Sequence, residues 1–261
     1  MAEDMPLGTV ESALVTFILC LVLSSLAYFK QVLTLGGSVA AFSVGLIIGI
    51  AGDVMWLLLL LFFLLSSFAA TKYRFALKEA MGVQEGKKGE RGAMNVLANG
   101  FAPTMVAVLS AFQLSFLPAT TAGLVFLSAL AVAGADTLAS EIGVLSDRAR
   151  LITTFKKVKP GTDGGISVLG EVCAMGASLY TALFGWFVLL YLSSMLNWAV
   201  TLPEDSWLIV IPAIIGFVGC QIDSLLGATV ESRGLIHKKG VNLLASSSGA
   251  VIAYLLLTFL V

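Results

Sequence analysis

Apolar runs of about twenty residues recur along this chain, and that repetition constrains its fold more than any single motif. A helix needs about twenty apolar residues to cross a hydrocarbon core of ~30 Å. Backbone N–H and C=O groups facing lipid have no water to bond, so such runs must satisfy themselves as helices. Of the 261 residues, 58% are hydrophobic and 12% charged, against roughly a quarter charged in an ordinary soluble domain. The pattern predicts an all-α polytopic transmembrane bundle of about eight spans. They are Ser12–Phe29, Leu33–Ile50, Val54–Ala70, Asn95–Gln113, Thr120–Ile142, Gly170–Ser194, Trp207–Val230 and Val241–Leu260. No linker or low-complexity tract divides them, so residues 1–261 read as one integral membrane domain. The acidic N-terminal stretch has no basic n-region, so the first run reads as a span and not as a cleaved signal.

The basic residues orient the bundle. Lys30 lies between spans one and two. Lys72, Arg74, Lys78, Lys87, Lys88 and Arg91 lie between three and four, and Arg148, Arg150, Lys156, Lys157 and Lys159 between five and six. Arg233, Lys238 and Lys239 lie between seven and eight. All fifteen Lys and Arg therefore fall on one side. The other side holds Glu3, Asp4, Glu11, Asp53, Glu204 and Asp205. An excess of Lys and Arg marks the cytoplasmic face, which predicts both termini outside, a multi-pass cell-membrane protein and an active site facing the cytoplasm. The net charge of −1 offers no global field for nucleic acid. The three cysteines have no spacing of a metal clip or disulfide framework; Cys20 and Cys173 read as small buried hydrophobes. Ala41, Gly45 and Gly49 make a small-residue stripe of the kind that packs helices together.

Charged groups inside spans are costly and mark function. Asp136 lies about two helical turns before the cytoplasmic end of span five, and Asp223 lies at nearly the same depth in span seven. Glu141 ends span five. Arg91, Asn95 and Asn99 follow i, i+4, i+8 spacing on one face of span four, and Asn242 with Ser246 opens span eight. These residues come from four helices and share the cytoplasmic third of the membrane. The two amides also suit interhelical hydrogen bonding. The two aspartates suit either a structural ion pair with Arg91 or a loop lysine, or a divalent metal. Glu231 reads as a solvated helix end and His237 as a solvated loop residue.

The connection after span five reads Lys156-Lys157-Val158-Lys159-Pro160-Gly161-Thr162-Asp163-Gly164-Gly165-Ile166-Ser167, followed by Gly170-Glu171. Glycines let backbone N–H groups turn toward an anion, and lysines add charge. The next helix start points its positive dipole end to the same place. The GK[ST] ending of a Walker A loop is missing.

The order Ala135-Asp136-Thr137-Leu138-Ala139-Ser140-Glu141-Ile142-Gly143, then Lys159 to Ser167, then Asp223-Ser224-Leu225-Leu226-Gly227-Ala228 resembles the phytyl-phosphate kinase family of the tocopherol pathway. That family was formerly a membrane domain of unknown function. Asn95-Val96-Leu97-Ala98-Asn99-Gly100 and Asn242-Leu243-Leu244 fit it too, and the similarity runs from span two to span eight. A more distant similarity extends to CTP-using dolichol and phytol kinases and phosphatidate cytidylyltransferases. Two departures stand out. Thr162 is followed by Asp163-Gly164-Gly165 where their loop usually has Glu-Gly. Gly219-Cys220-Gln221-Ile222-Asp223-Ser224 keeps only the second carboxylate of the cytidylyltransferase motif Gly-Asp-x-x-Glu-Ser, leaving Glu141 or Asp163 to fill the gap.

The resemblance implies a prenyl-phosphate kinase. It would move a phosphoryl group from a nucleoside triphosphate, CTP foremost, to an isoprenyl monophosphate. Asp136, Asp223 and Glu141 would hold Mg²⁺. Lys156, Lys157, Lys159, Gly161, Thr162, Asp163, Gly164, Gly165 and Ser167 would hold the triphosphate. Arg91, Asn99 and Asn242 would meet the acceptor phosphate, with Asn95 beside them in the catalytic group. A cytidylyltransferase or prenol kinase is the alternative from the same superfamily, and a homodimer is left open. An ion-coupled transporter using the two aspartates is the alternative from another class, although transporter sites usually lie near the midplane.

Overall fold

The structure, a computed structural model, describes residues 9–52, 54–113, 116–196, 202–203 and 205–260. Glu3, Asp4, Asp53, Glu204 and the side chain of Glu11, all expected on the side opposite the basic loops, lie outside the described residues. The expected spans are helices with ends shifted by a few residues. They are α1 (Thr9–Phe29), α2 (Leu35–Ala51), α3 (Val54–Lys72), a short α4 (Phe75–Met81), α5 (Ala93–Ala111), α6 (Ala119–Gly143) and α7 (Val168–Trp186). Helix α7 continues through a π-helical stretch, Phe187–Leu192, into α8 (Ser193–Met195). Helix α9 (Val210–Thr229) is flanked by 3₁₀ turns at Ser206–Ile209 and Glu231–Arg233, and α10 (Lys238–Leu260) follows. Among the described residues, seven helices are long and apolar enough to cross a membrane. Helix α2 adds an eighth apolar helix of 17 residues, about 26 Å long, at the short end of what spans a bilayer.

Helix α6 is the axis of the bundle. Its residues from Thr121 to Ala135 are buried all round, as expected of a helix with neighbours on every side. Small residues make this possible. A side chain at Gly216 or Gly219 of α9 would run into Ala131 or Val132 of α6, and one at Gly185 of α7 would run into Leu127. Close backbone approach through glycine is the usual route to tight packing where lipid removes the hydrophobic drive. The Gly45 and Gly49 stripe of α2 is likewise a packing face, meeting Cys20 and Thr16 of α1 and Leu57 of α3. Away from the polar end, Trp56 of α3 stacks on Phe126 of α6 at 4.2 Å between ring centroids.

The connections bearing the basic residues meet at one end of the bundle. Leu33, just before α2, bridges Arg91. Lys78 of α4 reaches Glu141 of α6, and Lys239 of α10 reaches Glu85. Between α6 and α7 the chain folds into a two-stranded antiparallel ladder, β1 (Arg150–Leu151) with β2 (Gly165–Ile166). This small β element was not foreseen in an all-α reading.

Candidate active site at the polar end of the bundle

Helices α6 and α9 run in the same direction and touch through Gly219 against Val132. Asp223 and Asp136 each lie four residues further on, one turn along the same seam. Their carboxyl groups consequently face each other within interacting distance. From α10, Asn242 donates its Nδ2 to Asp136 Oδ2 at 3.3 Å. Two buried oxygens here, Asp223 Oδ2 and Asn242 Oδ1, have no hydrogen-bond partner.

The acid pair lines a cavity of about 1110 Å³, open space at its mouth included, whose other wall is the loop from Pro160 to Ser167. The loop is held there by shape. Gly164 sits at φ +71°, and an added side chain would strike the backbone of Ala228, while Gly227 lies against the Gly164 amide. Ile152 N–H donates to Gly164 O at 3.0 Å, completing the anchor. Glu171, Glu231 and Lys238 also line the cavity; Glu171 accepts from Gln221 Nε2 at 2.8 Å. Ser167 is buried and lines it as well, but its hydroxyl is committed twice. It caps α7 by accepting from Gly170 N–H at 3.1 Å and donates to Gly143 O at 3.1 Å. Thr162 donates its hydroxyl to Lys159 O at 2.7 Å.

The three loop lysines are placed differently. Lys156, Lys157 and Lys159 are exposed, and none lines the cavity. Lys157 and Lys159 face a shallow neighbouring depression that shares Pro160 and Thr162 with it. The cation lining the acid cavity is Lys238, at an exposed position.

Glu141 turns away from the acid pair. Five residues at ~100° each place it about 140° around the helix from Asp136. It is buried and accepts from Lys78 Nζ at 2.6 Å and from Thr71 Oγ1 at 2.9 Å. Lys78, which sequence placed in the connection between spans three and four, is wholly buried and also donates to Ala70 O at 3.0 Å. Its carboxylate partner lies 63 residues away in the chain, so no local pattern announces the pair.

Arg91 stands next to this network. Its guanidinium donates to Thr71 Oγ1 at 3.3 Å and lies 3.9 Å from Glu141, while its Nε is buried without a partner. Burial pushes the guanidinium pKa down, against the opposing pull of Glu141, Glu85 and Asp136. Asn95 donates to Glu85 Oε1 at 2.6 Å, and Asn99 donates to Asn95 O, within its own helix, at 2.9 Å. Burial raises the Glu85 carboxyl, but Lys239, Asn95, Lys238 and Arg91 outweigh it and hold the pKa below its usual value. Of the cysteines, Cys20 and Cys220 are buried, whereas Cys173 is only half-buried.

Fold and site together define a polytopic α-helical membrane protein with a polar chamber at one end of its bundle. The chain belongs to the integral membrane protein family DUF92, whose family model matches residues 18–255. Protein PGR of Arabidopsis thaliana is 36% identical over 240 residues, covering 83% of this chain and 80% of its own. The chloroplastic protein VTE6 of the same plant is 30% identical over 236 residues, covering 87% of this chain and 66% of its own. An uncharacterized membrane protein of Methanocaldococcus jannaschii is 29% identical over 256 residues, covering 97% and 98%. These matches bear out the family resemblance read from the motifs. No solved structure matches the chain.

Proposed function

We propose that this protein is a prenyl-phosphate kinase, transferring a phosphoryl group from a nucleoside triphosphate, CTP foremost, to an isoprenyl monophosphate. The observation that carries the reading is the single cavity in which the Pro160–Ser167 loop faces the paired Asp136 and Asp223. Phosphoryl transfer asks for alignment and charge neutralisation more than for covalent chemistry. Lys238 and the glycine-rich loop, whose Thr162 and Gly165 amides are already bonded within its turns, supply the donors to a polyphosphate. The acceptor is already a phosphate, so no strong general base is required, and none of the lining residues is a histidine.

The donor set suits Mg²⁺. This ion is typically held by one or two carboxylates, with phosphate oxygens and water completing its shell. Among the described residues no group of three or more His, Cys, Asp or Glu could form a metal cage. The two facing aspartates and the unpartnered Asp223 Oδ2 and Asn242 Oδ1 fit an ion that arrives with the nucleotide, and bound there it would neutralise phosphate charge. Asn242 fixes the orientation of Asp136. Glu141, already occupied by Lys78 and Thr71, positions Arg91, which with Asn99 meets the acceptor phosphate. The basic end of the bundle faces the cytoplasm, where nucleotide is available, and the protein resides in the cell membrane.

The test is an assay of purified protein with prenyl alcohols and prenyl monophosphates, crossed with the four common nucleoside triphosphates. A prenyl diphosphate and a nucleoside diphosphate are expected. Release of pyrophosphate would make the enzyme a cytidylyltransferase, and turnover of alcohols alone would make it a prenol kinase. No nucleotide turnover with any acceptor would defeat the reading.

A further inference from the structure

A second cavity lies beside the first, between α1, α2, α3 and α5, with Leu130 of α6 closing its back. It encloses about 880 Å³ between the helices, open space at its mouth included. Apart from two serines its walls are apolar until one end, where Arg91, Asn95 and Asn99 line it. Along α3 the wall runs from Leu57 to Ser67, about 15 Å at 1.5 Å per residue and so about half of a ~30 Å hydrocarbon core. The polar end is the end nearest the acid pair, since Arg91 lies within electrostatic range of Asp136. Arg91 is 8% exposed, and its Nε is a buried donor without a partner. An apolar slot closed by an underused guanidinium matches a molecule with one anionic head and a hydrocarbon tail.

We infer that this cavity is the acceptor's tail chamber: the isoprenyl chain lies between α1, α2, α3 and α5, with its phosphate held at Arg91 beside the Asp136–Asp223 cavity. The inference rests on the kinase reading for the identity of the lipid, but not for the existence of the chamber. It makes the protein a ruler as well as a kinase. The depth from Arg91 to the floor at Cys20, Gly45 and Leu57 sets which chain lengths fit.

Two measurements test it. The first is kcat/KM for prenyl monophosphates of two, three and four isoprene units in the wild type, Ala41→Phe and Leu60→Trp, which fill the chamber, and Val39→Trp, which is 59% exposed on the outer face. The preference for the longest over the shortest acceptor should fall by about tenfold or more in both chamber variants and stay at the wild-type ratio in Val39→Trp. An unchanged ratio in chamber variants that retain wild-type melting behaviour overturns the inference. The second is photo-crosslinking of wild-type protein with a prenyl monophosphate bearing a diazirine on its last isoprene unit, which needs neither turnover nor a variant. Crosslinks on the chamber floor support the inference even if no nucleotide is consumed, in which case the kinase reading alone falls. Crosslinks on outer residues such as Leu14 or Leu255, or labelling displaced equally well by a diacyl phospholipid, overturn the chamber while leaving any measured kinase activity standing.

Discussion

Asp136 and Asp223 bring like charges together, an arrangement that costs stability unless a cation or proton joins them. Asp136→Asn and Asp223→Asn should therefore each nearly abolish turnover while the melting temperature without ligands stays level or rises. The added stabilisation from Mg²⁺ with CTP should vanish in both. The double variant should be little worse than either single one, because residues acting as a unit fail together. A fall in the unliganded melting temperature with activity retained would instead make the aspartates structural, since breaking a buried ion pair costs ~3–5 kcal/mol. The lysines give a second residue-level test. Lys238 lines the acid cavity and Lys156, Lys157 and Lys159 do not. Lys238→Ala should raise the KM for nucleotide by about tenfold or more, in line with ~1–3 kcal/mol for a charge-assisted contact. The triple alanine variant of the loop lysines should change it by no more than a few-fold, as surface screening allows. The reverse ranking, seen in steady-state kinetics, would move the triphosphate out to the loop's exposed side.

At the scale of elements, the candidate site depends on how closely α9 approaches α6 and on how the loop before α7 closes over both. An alanine at Gly219 would push its methyl group into Val132, a branched side chain with little freedom to yield. Overpacking of this kind costs ~1–3 kcal/mol. Gly219→Ala should lower the melting temperature and weaken stabilisation by Mg²⁺ with CTP, because Asp223 lies one turn beyond the contact. Gly176→Ala is the control, since a methyl group there meets nothing within 4 Å. Its effect should be neutral or slightly stabilising, because alanine is the better helix former. Equal melting shifts in the two variants would mean that the α6–α9 seam does not set the position of Asp223. Other features of these elements were only partly legible in sequence. The glycine-rich stretch Gly161–Gly165 announced a turn, but its seat against Ala228 depends on the end of α9, more than sixty residues later.

For the whole molecule, the arrangement of basic residues predicts a testable orientation. With native cysteines removed, cysteines introduced at Lys88, Lys157 or Lys238 should be shielded from an impermeant thiol reagent in intact cells. Cysteines at Asp53 or Glu204 should be labelled. External labelling at position 157 would invert the bundle and place the proposed nucleotide cavity outside. Independently of orientation, the structure gathers the connections containing Lys30, Lys78, Arg91 and Lys238 around one end through Leu33–Arg91, Lys78–Glu141 and Lys239–Glu85 contacts. This agrees with the basic residues falling in every second connection of an eight-span chain.

Sequence alone determined what depends on one dimension: the helices, their approximate ends, the side on which the basic loops fall, and the shared depth of Asp136, Asp223, Asn95, Asn99 and Asn242. A bilayer imposes length and polarity on each segment separately, so those properties can be read segment by segment. Tertiary structure decided which way each group faces. Asp136 and Glu141 lie on one short stretch of α6, yet a rotation of about 140° sends one to Asp223 and Asn242 and the other to Lys78 and Thr71. Glu231, read from sequence as a solvated helix end, and Lys238, read as part of the connection between spans seven and eight, both line the cavity. The apolar chamber below Arg91 is assembled from five helices, none of which carries a distinctive motif for it. Azimuth around a helix and the fit between helices are set by contacts among segments far apart in the chain, and in lipid those contacts come from close packing rather than from a hydrophobic pattern that sequence displays.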